Sequence, residues 1–129
     1  MKWDKIDNEI EYDWYELRCQ LSRDNHLKVS LYGLKNQKNI YYLDFGKVLF
    51  CRAIDEGWDL NPYEEKFESD EKQPHIPDGV SWEVTNSNLK NQIKSHYPQP
   101  IHHFQILGIN FGLDVISENF PIVIQERLS

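Results

Sequence analysis

Positive charge is what this chain has least of: 14 Lys and Arg stand against 21 Asp and Glu, for a formal charge of -7 and a pI near 5.1. Nucleic acid and anionic membrane surfaces are poor partners for such a chain, because both are bound through clustered Lys and Arg. No apolar run approaches the ~20 residues that a membrane-spanning helix needs. The start, Met1-Lys2-Trp3-Asp4, has no apolar leader stretch either, so the expected location is the cytoplasm. Cysteine is down to two residues, Cys19 and Cys51, in separate alternating apolar segments with no CxxC spacing and no nearby His. Buried free thiols are the expectation, since a reducing compartment disfavours a disulfide and two cysteines alone cannot complete a structural zinc site. Beside them stand only Arg18 and Arg52, too little positive charge to activate a thiol. Catalytic signatures are missing as well: there is no GxSxG, GxGxxG, P-loop or HExxH pattern.

What is present suffices for one domain over residues 1–129, with 40% hydrophobic and 13% aromatic residues to build a core. The most informative stretch runs from Asp55 to Glu71. Eight of its residues are acidic (Asp55, Glu56, Asp59, Glu64, Glu65, Glu68, Asp70, Glu71), only Lys66 opposes them, and Trp58, Tyr63 and Phe67 are interleaved. Charge of one sign steers an encounter with a basic protein, and aromatic area buried on contact supplies affinity. The plainer reading of such a run is a solvated acidic loop. Gly57 before Trp58 and Pro62 after it put that tryptophan outside regular structure, favouring an interface anchor over a core residue at a strand end.

The rest of the chain reads mainly as strands. Residues 6–21 fit a helical stripe through Ile10, Trp14, Leu17 and Leu21, but Leu17, Cys19 and Leu21 also alternate, which favours a strand from Tyr12 onward. Asp24-Asn25 marks a turn, and Leu27, Val29 and Leu31 form the second arm of a hairpin ending near Gly33. Residues 40–45 and 48–54 are rich in strand formers, with Gly46-Lys47 as a tight turn or a bulge. Pro62, Pro74, Pro77 and Gly79 make residues 57–79 largely loop, with room for a helical turn from Tyr63 to Phe67. A short strand over Val80–Val84 precedes a helix capped by Asn86 or Ser87 and running to about Lys94, with Leu89 and Ile93 on its buried side. Alternation resumes from His102 to Leu107, then at Leu113–Ile116 after a turn over Gly108–Gly112, and Pro121–Ile124 supplies a last short strand. The expected class is α+β: a mostly antiparallel sheet with one or two helices packed on a face.

Candidates for chemistry are few. His102 and His103 are adjacent in a strand, so they point to opposite faces and are not expected to share a metal. His103 would join Gln105 on a solvent face and His102 would be a core histidine. Asp55-Glu56 at a strand end could split their pKa values as acid and base, yet an exposed pair is the commoner outcome. No cofactor or metal is expected.

The run Tyr42-Leu43-Asp44-Phe45, the run Phe50-Cys51-Arg52-Ala53-Ile54-Asp55-Glu56-Gly57, and the distal runs His103–Ile106 and Gly112–Ser117 with Pro121 resemble small bacterial immunity proteins of polymorphic or contact-dependent toxin systems. The resemblance covers about the central and C-terminal two thirds of the chain and consists of strand patterns without a catalytic signature. It implies a non-enzymatic inhibitor that binds and neutralises a cognate toxin, often a nuclease. The residue pattern points the same way by itself, because a nuclease cleft is basic and an acidic partner can mimic phosphates. The alternative is a small enzyme or ligand-binding domain in which Asp55, Glu56 and His103 converge, which requires the strand ending at Ile54 to lie beside the strand of His103.

Overall fold

The computed structural model describes residues 2–6, 9–55, 79–85 and 87–126, with the backbone only at 54 and 55. In chain order the elements are β1 (Lys2–Lys5), β2 (Tyr15–Leu21), β3 (His26–Gly33), β4 (Ile40–Lys47), β5 (Phe50–Asp55), β6 (Ser81–Thr85), α1 (Asn88–Lys94), β7 (His102–Leu107), β8 (Phe111–Ser117) and β9 (Ile122–Gln125). The strands form two antiparallel sheets, β1-β6-β7-β8-β5 and β2-β3-β4-β9. Among the described residues, antiparallel strands with one short helix fit the expected class, but the single sheet becomes two.

The reason lies in the alternation. In β3 and β4, Leu27, Val29, Leu31, Tyr41, Leu43 and Phe45 all face one way and are buried. That apolar face needs an equally apolar partner, and a helix of seven residues is too short to cover it. The inner face of the other sheet does so with Phe104, Ile106, Leu113 and Val115, and these residues join those of β3 and β4 in one core. The chain crosses between sheets at Val48-Leu49, where the Val48 amide donates to the Asn25 carbonyl at 2.9 Å and the Leu49 amide donates to the Ile116 carbonyl at 2.8 Å.

Local signals decide the joints. The β2–β3 turn places Asn25 at φ 64, a conformation that asparagine tolerates. Gly46 takes φ 65 opposite Leu27, where the β3–β4 register slips past Phe45, so Gly46 belongs to a bulge with Phe45 and not to a tight turn, and Lys47 pairs regularly with His26. Gly33 closes the end of β3 under a dense cluster: a Cβ there would lie 2.5 Å from Asp13 Oδ2 and 2.8 Å from the Asn36 carbonyl oxygen. Gly33→Ala should therefore destabilise the fold by about 1 to 3 kcal/mol, as overpacking does, read as a lowered urea midpoint.

Helix α1 starts as the sequence indicates. Ser87 is its N-cap, with φ -82 and ψ 132, and its hydroxyl oxygen accepts the Lys90 amide at 3.0 Å. Leu89 is buried on the outer face of the first sheet with Ile101 and Ile116, and Phe50, Ile93 and Tyr97 pack around them. The strand expected from Tyr12 begins at Tyr15 instead, because Asp13 and Trp14 serve the loop after β3.

Candidate functional site

Of the acidic stretch, the backbone of Asp55 closes β5, opposite Phe111 of β8. Glu56, Trp58, Asp59, Tyr63, Glu64, Glu65, Phe67, Glu68, Asp70 and Glu71 lie outside the described residues, as do the helical turn expected at Tyr63–Phe67 and nearly all of the long loop 57–79. The anchors on either side are well placed. Asp55 ends the edge strand β5, and Ser81 opens β6, opposite Ile106 of β7. Both sit at the end of the sheet that carries the β7–β8 turn, since Leu107 pairs with Gly112. Three inter-strand spacings separate them, about 14 Å. About five extended residues would bridge that gap, so residues 56–80 supply far more chain than the connection requires.

A second group of polar residues lies on the outer face of the same sheet. Strand register sets Lys5, Trp82, Gln105, Asp114 and Arg52 side by side across β1, β6, β7, β8 and β5. The Arg52 guanidinium donates to Asp114 Oδ2 at 2.5 and 3.1 Å, and the Gln105 amide donates to Asp114 Oδ1 at 3.1 Å. The Trp3 indole donates to Gln105 Oε1 at 2.5 Å. His103 completes the set, with Nε2 2.7 Å from Asp114 Oδ1 and Nδ1 2.6 Å from Ser87 Oγ. Ser87, His103, Gln105 and Asp114 are all buried. Burial pushes the Asp114 carboxyl up, but the hydrogen bond and charge of His103, reinforced by Arg52, outweigh it and hold the group below the usual carboxylate value. Asp114 is therefore ionised and accepts from His103 Nε2, while Nδ1 of the same ring meets the Ser87 hydroxyl.

Ser, His and Asp in hydrogen-bonded series are the residue types of nucleophilic catalysis. Their surroundings give them a different task. Ser87 Oγ accepts the first-turn amide of α1 and has no exposed surface from which to attack a substrate. The series instead ties the helix N-terminus through His103 to β8, and Arg52 extends the tie to β5. A lone Asp within Gly112–Ile116 and a lone Arg within Phe50–Ile54, both in apolar strands, were the sequence signals for this group, and the reading of motifs alone missed them.

His103 is thus completely buried and His102 half-exposed, the reverse of the expectation. The faces are as expected, but the outer one is covered near His103. His102 Nδ1 pairs with Glu83 Oε2 at 2.7 Å, and its ring lies 4.7 Å from that of Phe120. Asp55 and His103 are not neighbours: β8 runs between their strands, and their levels, marked by Phe111 and Ile116, are about 17 Å apart along β8. The convergence required for an acid–base pair with His103 is not formed by Asp55. The cysteines also differ from expectation, with Cys19 exposed and Cys51 half-buried. Among the described residues, no group of three or more His, Cys, Asp or Glu could hold a metal ion, and no helix is long and apolar enough to cross a membrane.

No family model, curated protein or solved structure matches the chain.

Proposed function

We propose that this chain is a non-catalytic binding protein of the immunity type, acting in the cytoplasm, which docks on a cationic protein toxin and neutralises it. The observation that carries the proposal is the acidic, aromatic-bearing stretch Asp55–Glu71, inserted between two strand ends that a much shorter connection could join. An excess of chain at one sheet end is how binding segments are mounted on a rigid scaffold. The net charge of -7 favours a basic partner, and a nuclease is the toxin class whose cleft suits this charge best. Trp58, Tyr63 and Phe67 supply the anchors and the carboxylates supply the steering.

The test is titration of the purified protein against the toxin domain encoded beside it, by calorimetry and stopped flow. The expected result is a tight 1:1 complex. Reversing Asp55, Glu56, Glu64 and Glu65 to Lys should slow association by about ten-fold or more at low salt. An unchanged affinity and salt dependence in the reversed variant removes this stretch from the interface.

A further inference from the structure

Among the described residues, β1 and β5 end one sheet, and β2 and β9 end the other. An open edge invites pairing with another chain, and charged side chains along the strand are a usual guard against it. Strand β1 carries Lys2, Asp4 and Lys5, β2 carries Glu16 and Arg18, and β5 carries Arg52 and Asp55. Strand β9, Ile122-Val123-Ile124-Gln125, carries none. Its Ile122 and Ile124 side chains are 67% and 48% exposed, beside Asp44 and Tyr42 of β4, while Val123 packs on the core. The backbone of β9 is divided between two sides. The Glu126 amide donates to the Ile40 carbonyl at 2.8 Å, and antiparallel pairs alternate, so Ile122, Ile124 and Glu126 turn their amides and carbonyls toward β4. Those of Val123 and Gln125 therefore point out from the open edge.

We infer that β9 is an interaction surface for a second copy of this chain, whose own β9 pairs with it antiparallel across a two-fold axis at Ile124. The backbone sets that register. With Ile124 opposite its copy, Val123 of each chain faces Gln125 of the other, and these outward residues exchange amides and carbonyls in both halves of the contact. A shift that brought Val123 opposite its copy would set Gln125 against Pro121, which has no amide to give. A shift the other way would leave Val123 facing residue 127, beyond the end of the strand. In the register at Ile124 the two isoleucines meet with Cα atoms about 4.5 Å apart. Ile122 meets Glu126, so no like charges are opposed. Charge also selects the occupant: a strand without a carboxylate offers a cationic partner nothing to pair with along its length, but it suits an identical strand. Two four-stranded sheets become one continuous sheet. A strand of 4 residues on each side makes a contact smaller than the ~1,200 Å² at which stable interfaces begin, and each copy carries -7. The dimer is therefore weak at low salt and strengthens as salt screens the repulsion.

The experiment is sedimentation velocity of the full chain alone, from micromolar to millimolar concentration. The expected result is a monomer–dimer equilibrium that tightens by about ten-fold as salt rises from about 20 to about 300 mM. Ile124→Lys sets two ammonium groups against each other at the axis and should weaken the dimer by about ten-fold or more, even though it lowers the net charge. Gln125→Pro removes an outward amide and leaves the bonds to β4 in place, so it should weaken the dimer as well. Thermal melts at low concentration separate a folding defect from lost pairing, and the concentration and salt dependence of the unaltered chain stands apart from both variants. A chain that stays monomeric throughout, a dimer that neither folded variant weakens, or a dimer that loosens as salt rises would each overturn the inference. So would an Ile124→Lys chain whose only loss is in binding the toxin domain, which would assign this edge to the toxin.

Discussion

Asp114→Ala should destabilise the protein by about 3 to 5 kcal/mol, the cost of removing one partner from a buried charge pair. The carboxylate has no exposed surface and accepts from Arg52, Gln105 and His103. Alanine would leave a guanidinium and an imidazole on the outer face of the sheet with their acceptor gone, and uncompensated polar groups there cost more than the pair itself contributes. The damage should spread to α1, because His103 orients the Ser87 hydroxyl that caps it. Ser87→Ala, which removes only that cap, should cost about 1 kcal/mol. Urea unfolding of both variants, with a far-ultraviolet dichroism spectrum for helix content, checks the ordering. A loss below 1 kcal/mol for Asp114→Ala would mean that Arg52 and His103 find water or other partners, and that the network is peripheral to stability.

That network marks the limit of what the chain's patterning discloses. Strands β3 and β4 alternate cleanly, the cap at Ser87 uses a residue type suited to it, and Asp24-Asn25 turns where its chemistry says it should. These features are local, and local rules find them. Strand β1 has a single apolar residue, Trp3, and exists by pairing with β6, some 80 positions away in the chain. Nothing within four residues can announce such a partner. His103 and Gln105 alternate with apolar neighbours in the manner of a solvent-facing row, yet both are buried, because α1 and the polar partners cover a face that alternation alone would leave to water. Alternation reports which residues share a face and not what lies over that face. For the acidic stretch, composition is legible and geometry contributes only its two anchors, so the functional argument rests on charge and on where the chain leaves and re-joins the sheet.

Asp13→Ala should cost about 2 to 3 kcal/mol at neutral pH, and the cost should shrink in acid. Asp13 is buried ahead of β2 and accepts from the Trp14, Lys35 and Asn36 amides at 2.7, 2.9 and 3.1 Å and from the Asn39 side chain at 3.0 Å. Alanine would leave these donors without their acceptor, though several lie near enough to the surface to recover water, which keeps the loss below the sum of separate penalties. Burial alone would raise the Asp13 carboxyl, but the Lys35, Asn39, Asn36 and Trp14 hydrogen bonds together overcome it and hold the group below its ordinary 3.8. The unfolded chain therefore binds the proton more readily than the folded one. The carboxylate's stabilisation is fully present above the unfolded value and drains away as pH falls through 3.8 toward the lower folded value. Asp114 is shifted in the same direction and adds its own acid loss, in the variant as in the parent. Urea midpoints of the two proteins should accordingly converge between neutral pH and about pH 3, with the parent losing more. A gap that stayed constant across that range would show that the amides hold the side chain by shape and not by its charge.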